Sequence, residues 1–190
     1  MLNIDVGGAK KRNMNEMWKV MDSRKSSEFV YDLNSMKSFE LKDNSVDNYY
    51  SSMTFEHLDR VHLEFVLSEI YRTLKPKGIF RVVVPDIYIG VKLYLKQPKK
   101  LFTKGYPYQV DEILAGFKAG RLISWFYSPD ISISINGHKI AFDFELLAYF
   151  LKEAKFCEVQ RSSFRDCTEI FMDRDREKYK DFALYVNVIK

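Results

Sequence analysis

Glu56 and His57 stand side by side in a polar stretch, Ser51-Ser52-Met53-Thr54-Phe55-Glu56-His57, just ahead of an amphipathic run. An unperturbed imidazole titrates at about 6.5, so His57 could take a proton from a hydroxyl or amine near neutral pH, with Glu56 as the second candidate base. A histidine at this position can equally cap or pack a helix start. Three other acids close short apolar runs: Asp5 in LNIDVGG, Asp22 in WKVMD and Asp32 in FVYDL. Gly7 and Gly8 could let a ligand lie against main-chain N–H groups, or could simply turn the chain. An acid ending the second strand of a parallel nucleotide-binding sheet accepts ribose hydroxyls; the bland alternative for Asp22 is a solvated turn aspartate. His62 falls inside a helical run and His138 beside the Asn136-Gly137 turn signal, so both read as structural.

Those residues need elements to hold them. Leu2 to Val6, Trp18 to Asp22, Phe29 to Leu33 and Val46 to Tyr50 are strand-like runs that end near polar residues. Such a series suits an open parallel sheet with its ligand at the carboxyl ends. Thirteen residues separate Gly8 from Asp22, so the first crossover helix must be very short. Ser23 to Ser27 is loop chemistry and leaves no room for a normal second helix. The clearest unit is Ser45–Asp86. In it Leu63, Val66, Leu67, Ile70 and Leu74 share one helical face, Asp59 is the N-cap, and Lys75-Pro76-Lys77-Gly78 stops the helix. Ile79 to Val84 follows as a strand with Arg81 its one charge.

Beyond Asp86 the pattern blurs. Val110 to Ala119 has helical spacing, and Ile131, Ile133 and Ile135 alternate as in a short strand. Residues 88–142 are expected to form an insertion within a single domain spanning 1–190, either a substrate cover or a packing layer. Asp143 to Phe156 reads as a second helix, capped by Asp143, with Phe142 and Leu147 at staple positions and a face of Leu146, Leu147, Phe150, Leu151 and Ala154. Two strands, near Glu158 to Phe164 and Phe182 to Ile189, complete the chain.

Composition narrows the classes. The chain has 190 residues, 46% hydrophobic and 29% charged, with net charge +4 from scattered lysines. That is globular composition. The Lys10-Lys11-Arg12 cluster is too short for a nucleic-acid footprint. Cys157 and Cys167 have no CxxC spacing and read as free thiols of a reducing interior. No signal-peptide pattern or membrane-length apolar run is visible, so a soluble cytoplasmic protein is expected. GxGxxG and GxxxxGK[ST] are both absent, which argues against nicotinamide and nucleoside-triphosphate chemistry.

Taken in order, LNIDVGG, WKVMD, FVYDL, DNSVDNYYSSMTFEHL, EIYRTLKPKGIFRVVVPD, GHKIAFDFELLAYFLKEAKFCEV and LYVNVIK resemble class I S-adenosylmethionine-dependent methyltransferases. The likeness is strongest to compact members of the type 11-like group, often associated with cell-surface glycan synthesis. The resemblance implies a Rossmann-like α/β fold: an open, mostly parallel seven-stranded sheet with an antiparallel last strand, here with reduced early helices. It implies S-adenosylmethionine as cofactor, with Asp5, Gly7 and Gly8 at its methionine end, Asp22 at its ribose, and Asp32 and Leu33 flanking adenine. Ser51 and Ser52 would face cofactor or substrate. Two departures stand out. Asp5 either takes the place of the first loop glycine or is the strand-end acid, and Met53 stands where similar members often carry a histidine.

The expected activity is in-line methyl transfer to a small-molecule or saccharide acceptor, with His57 or Glu56 as base. The reading from a different class is a cofactor-free, degenerate fold that serves as a binding or scaffolding protein, suggested by the poor glycine loop. The aromatic middle, with Trp125-Phe126-Tyr127, could close the pocket or form a homodimer face.

Overall fold

The computed structural model describes residues 1–8, 17–97, 99, 116–123 and 137–190. In chain order these form β1 (Asn3–Val6), β2 (Trp18–Asp22), β3 (Phe29–Val30), β4 (Val46–Ser52), α1 (Arg60–Thr73), β5 (Leu74–Pro85), α2 (Ile87–Lys96), α3 (Lys118–Ile123), α4 (Phe144–Glu153), β6 (Glu158–Ser162), α5 (Glu169–Met172) and β7 (Ala183–Ile189). The sheet order is β3-β2-β1-β4-β5-β7-β6. The first five strands pair in parallel, and β7 runs antiparallel to both β5 and β6. This is the Rossmann-like sheet expected from the sequence, and among the described residues no helix lies between β1 and β4.

Alternation along the strands divides the core. Tyr49 on β4, Phe80, Val82 and Val84 on β5, and Leu184, Val186 and Val188 on β7 pack with Leu63, Leu67 and Ile70 of α1 and Leu147 and Leu151 of α4. The intervening Tyr50, Val83 and Tyr185 join Trp18 in a second cluster with Phe171, Tyr179 and Phe182. Those last three lie in the β6–β7 connection, which thus roofs this face of the sheet. A sheet buried on both faces needs such a roof, because its strands carry apolar side chains in both directions. Two arginines fasten it, as described below.

Several expectations shift in detail. The third strand stops at Val30 rather than Leu33, because Asp32 starts a turn: its Oδ1 accepts from the Asn34 N–H at 2.9 Å, and its carbonyl accepts from the Ser35 N–H at 2.9 Å. Helix α1 ends at Thr73, and the strand begins at once. Lys75 to Gly78 is a bulge inside β5, where the register jumps from Val46 with Leu74 to Asn48 with Ile79 and Lys77 takes a φ of 65°. In α4, Leu146 is exposed whereas Leu147, Phe150 and Leu151 are buried. The helix expected over Val110 to Ala119 and the strand at Ile131 to Ile135 fall largely or wholly outside the described residues, as does most of 88–142. No helix among the described residues is long and apolar enough to cross a membrane.

Helix α1 starts where the sequence suggests. Asp59 Oδ1 accepts from the His62 N–H at 3.0 Å and lies 2.6 Å from His62 Nδ1. Asp59→Ala removes this cap and is expected to cost about 1 kcal/mol, measurable as a lowered urea midpoint with unchanged slope. Lys190 closes the other end: its Nζ donates to the carbonyls of Tyr71 at 2.6 Å and Leu74 at 2.8 Å.

Candidate active site at the carboxyl ends of the strands

A cavity of about 560 Å³ opens at the carboxyl ends of β1, β2 and β4 and beside the turn that follows β3. Gly7, Asp22, Arg24, Tyr31, Asp32, Leu33, Met53, Thr54 and His57 all contribute to its lining. Five residues expected at the site, Gly7, Asp22, Asp32, Leu33 and His57, therefore share one wall system. Parallel pairing of β1 with β2 and β4 explains the convergence, since all their chain directions reach the same edge.

The loop after β1 is held by close packing. Gly7 has a φ of 74°, and a β-carbon there would stand 2.3 Å from Thr54 Oγ1. A β-carbon on Gly8 would stand 2.4 Å from the Asp5 carboxylate. Thr54 Oγ1 in turn donates to the carbonyls of Ser52 at 3.2 Å and Val6 at 3.4 Å. Met53, with a φ of 52°, turns the chain out of β4 so that Thr54 can reach the loop.

Asp5 lies within β1, fully buried, and its carboxylate pairs with Arg174 of the β6–β7 connection. Ser51 and Ser52 are also buried, and Ser51 Oγ donates to the Val6 carbonyl at 3.2 Å. Asp5, Gly8, Ser51 and Ser52 thus stand behind the cavity lining rather than on it. Burial of both strand ends accounts for this, because β1 and β4 are interior strands whose side chains meet protein on each face.

Asp22 is engaged by Arg24, which the sequence did not single out. Its Oδ1 accepts from the Arg24 N–H at 3.0 Å and from Nε at 2.6 Å, and its Oδ2 accepts from Nη2 at 3.0 Å. The same Nη2 donates to the Gly8 carbonyl at 2.7 Å, so Arg24 ties the end of β2 to the glycine loop. A carboxylate offers about four acceptor positions. One ribose hydroxyl could therefore join Arg24 on Oδ2, whereas a bidentate ribose contact requires the arginine to withdraw. Over half of the Arg24 side chain is exposed, so it has room to do so.

Next to His57, Glu56 is buried, and neither carboxylate oxygen makes a well-formed hydrogen bond among the described residues, the Thr54 and Glu56 backbone amides acting on it only weakly. Burial pushes its pKa up to about 8. His57 is one-third exposed, with Nε2 3.9 Å from Glu56 Oε1. His138, read from sequence as a turn residue, is buried against both: its Nε2 is 4.0 Å from Glu56 Oε1, and its ring centroid is 4.9 Å from that of His57. The Lys139 and Ile140 N–H groups donate to the Glu56 carbonyl at 2.7 and 3.3 Å and hold the two segments together. No local signal could have found this contact, which joins residues about eighty apart.

Residues 11–82 match a family model described as a methyltransferase domain. Comparison with curated proteins by sequence finds no match. Among solved structures, the chain is similar to a SAM-dependent methyltransferase from Archaeoglobus fulgidus, at 15% identity and TM-score 0.56 over 100% of this chain and 86% of that one. It is also similar to an S-adenosylmethionine-dependent methyltransferase from Mesorhizobium loti, at 13% identity and TM-score 0.52 over 99% and 90%. Phosphoethanolamine N-methyltransferase 2 of Haemonchus contortus, in complex with S-adenosyl-L-methionine, aligns with TM-score 0.50 and 13% identity over 100% of this chain but 48% of its own. Residues 11–82 thus match a methyltransferase-domain model, and the chain as a whole shares the fold of these S-adenosylmethionine-dependent methyltransferases.

Proposed function

We propose that the cavity binds S-adenosylmethionine and passes its methyl group to a hydroxyl or amine of a small molecule, with a saccharide as one such acceptor. The observation that carries this reading is the convergence of Gly7, Asp22, Asp32, Leu33, Met53 and His57 on one cavity at the sheet's carboxyl edge. The residues suit the cofactor in kind: an acid for ribose at the end of β2, an apolar side chain beside Asp32 for adenine, and a loop without a side chain at Gly7. When bound, the cofactor supplies an already activated methyl, so the protein's work is alignment. Met53 and His57 line the same cavity and would face the acceptor. In this reading the His57 imidazole receives the acceptor's proton, with the buried Glu56 as the second candidate base.

Calorimetry with S-adenosylhomocysteine tests the reading directly. Binding is expected in the wild type, and Asp22→Ala should weaken it about ten- to a hundredfold through loss of one or two hydrogen bonds to a charged acceptor. Arg24→Ala should act in the opposite sense and tighten binding several-fold, because it frees Asp22. Failure of the wild type to bind at millimolar ligand would favour the second reading, a cofactor-free binding protein. The observation behind that alternative is the prior engagement of Asp22 and Gly8 by Arg24.

A further inference from the structure

Beside the cavity, with His57 in its lining and Glu56 and His138 buried against it, stand three groups that the methyl-transfer reading does not need together. Glu56, His57 and His138 present one ligand atom each, all within 4.8 Å of one another. They come from two segments, at Glu56-His57 and at His138, pinned by the paired hydrogen bonds from Lys139 and Ile140 to the Glu56 carbonyl. We propose that Glu56, His57 and His138 form a binding site for one divalent cation of the zinc class, with an open coordination position facing the cavity.

The geometry is close to that of a metal centre. A cation about 2.1 Å from each of two ligand atoms can have them at most about 4.2 Å apart. Glu56 Oε1 is 3.9 Å from His57 Nε2 and 4.0 Å from His138 Nε2, so both pairs fall inside that span. Ligand atoms of a tetrahedral site with bonds of about 2.1 Å lie about 3.4 Å apart, so Glu56 Oε1 and each imidazole must close by about half an ångström and the two imidazoles by up to about 1.4 Å; His57, one-third exposed, has room to move. Two imidazoles and one carboxylate are the ligand chemistry of zinc and neighbouring first-row cations, and hardly of calcium or magnesium.

Glu56 supplies the independent observation. A buried carboxylate without a hydrogen-bond partner costs free energy that a folded protein normally avoids. Neither of its oxygens makes a well-formed hydrogen bond among the described residues. A cation would satisfy them, and the two imidazoles are already arranged around one oxygen. The cation's position beside His57 places its open site where an acceptor oxygen would arrive. Bound there, an acceptor hydroxyl would be polarised by the cation and would give its proton to solvent water, with His57 serving as ligand in place of the base role proposed for it above. This last consequence rests on the proposed function; cation binding itself does not.

The test uses the purified full chain, stripped with a chelator and free of cofactor and acceptor, titrated with zinc chloride in a calorimeter and by equilibrium dialysis. One equivalent of zinc is expected to bind. Glu56→Gln, a near-isosteric change that keeps the packing, and His57→Ala, at a partly exposed position, should each weaken it at least tenfold. His62→Ala should leave it unchanged, and it controls for the separate His62–Asp59 pair on the surface. Circular dichroism verifies that each variant is folded. Absence of zinc binding in the wild type would overturn the proposal, as would wild-type affinity in Glu56→Gln and His57→Ala or a loss confined to His62→Ala. Because S-adenosylhomocysteine is absent, these outcomes are independent of whether the methyltransferase reading holds.

Discussion

Asp175→Ala is expected to lower folding stability by about 3–5 kcal/mol, a large effect for a single substitution outside the apolar core. Arg81 and Asp175 are fully buried and form a two-pronged pair, Nε to Oδ1 at 3.0 Å and Nη2 to Oδ2 at 2.6 Å. Removing the carboxylate leaves a guanidinium buried with only neutral partners: Asn187 Oδ1 at 2.6 Å, the Ser163 carbonyl at 2.8 Å and Ser162 Oγ at 3.2 Å. It also releases the Arg165 N–H, which donates to Asp175 Oδ2 at 2.7 Å. The damage should concentrate in the β6–β7 connection, because Asp175 ties that connection to β5. Urea unfolding followed by tryptophan fluorescence is well placed to see it, since Trp18 packs on Phe171 of the same roof. The double substitution Arg81→Met with Asp175→Leu should recover much of the loss, because it removes both charges together. A midpoint for Asp175→Ala equal to wild type would show that the pair adds nothing to the roof.

Gly7→Ala is expected to cost about 2–5 kcal/mol, combining a left-handed backbone penalty with overpacking, and to weaken S-adenosylhomocysteine binding more than tenfold. The new methyl would lie 2.3 Å from Thr54 Oγ1 and 2.4 Å from Thr54 Cγ2, so Thr54 or the loop must move. Either movement disturbs the cavity lining to which both residues contribute. The pair Gly7→Ala with Thr54→Ala should recover the overpacking part and retain the backbone part, a non-additivity that a double-mutant cycle measures. Unfolding midpoints and calorimetric affinities for the four proteins check this. A Gly7→Ala protein with wild-type affinity would show that the loop does not shape the site.

Local pattern carried much of the architecture. The apolar period of α1 and its cap at Asp59, the staple around α4, and β2 from Trp18 to Asp22 are all short-range features, and the structure has them at those positions. The strand at Phe29 was overextended because the turn begun by Asp32 outweighs the β propensity of the residues before it. Lys75-Pro76-Lys77-Gly78 reads in sequence as the stop of α1, whereas in the structure it is a bulge inside β5, because proline and glycine break a helix in either setting. Arg81 shows the limit most clearly. As a lone charge in an apolar strand it marked something unusual, but its partner lies 94 residues later in sequence.

The Glu56-His57 pair, with the acids at Asp22 and Asp32, was legible from residue type and from position at strand ends. Those acids meet at one edge because parallel strands share a direction, which the sequence order already implies. The sequence by itself thus determined the sheet, its two main helices and the edge where chemistry would gather. Only the tertiary structure decided which polar groups reach the cavity and which are consumed in holding it: Asp5 on Arg174, Asp22 shared with Arg24, and His138 brought against Glu56. The reason is physical. Periodicity and capping act over a few residues, while the pairing of buried charges depends on which distant segments the packed sheet brings within hydrogen-bonding reach.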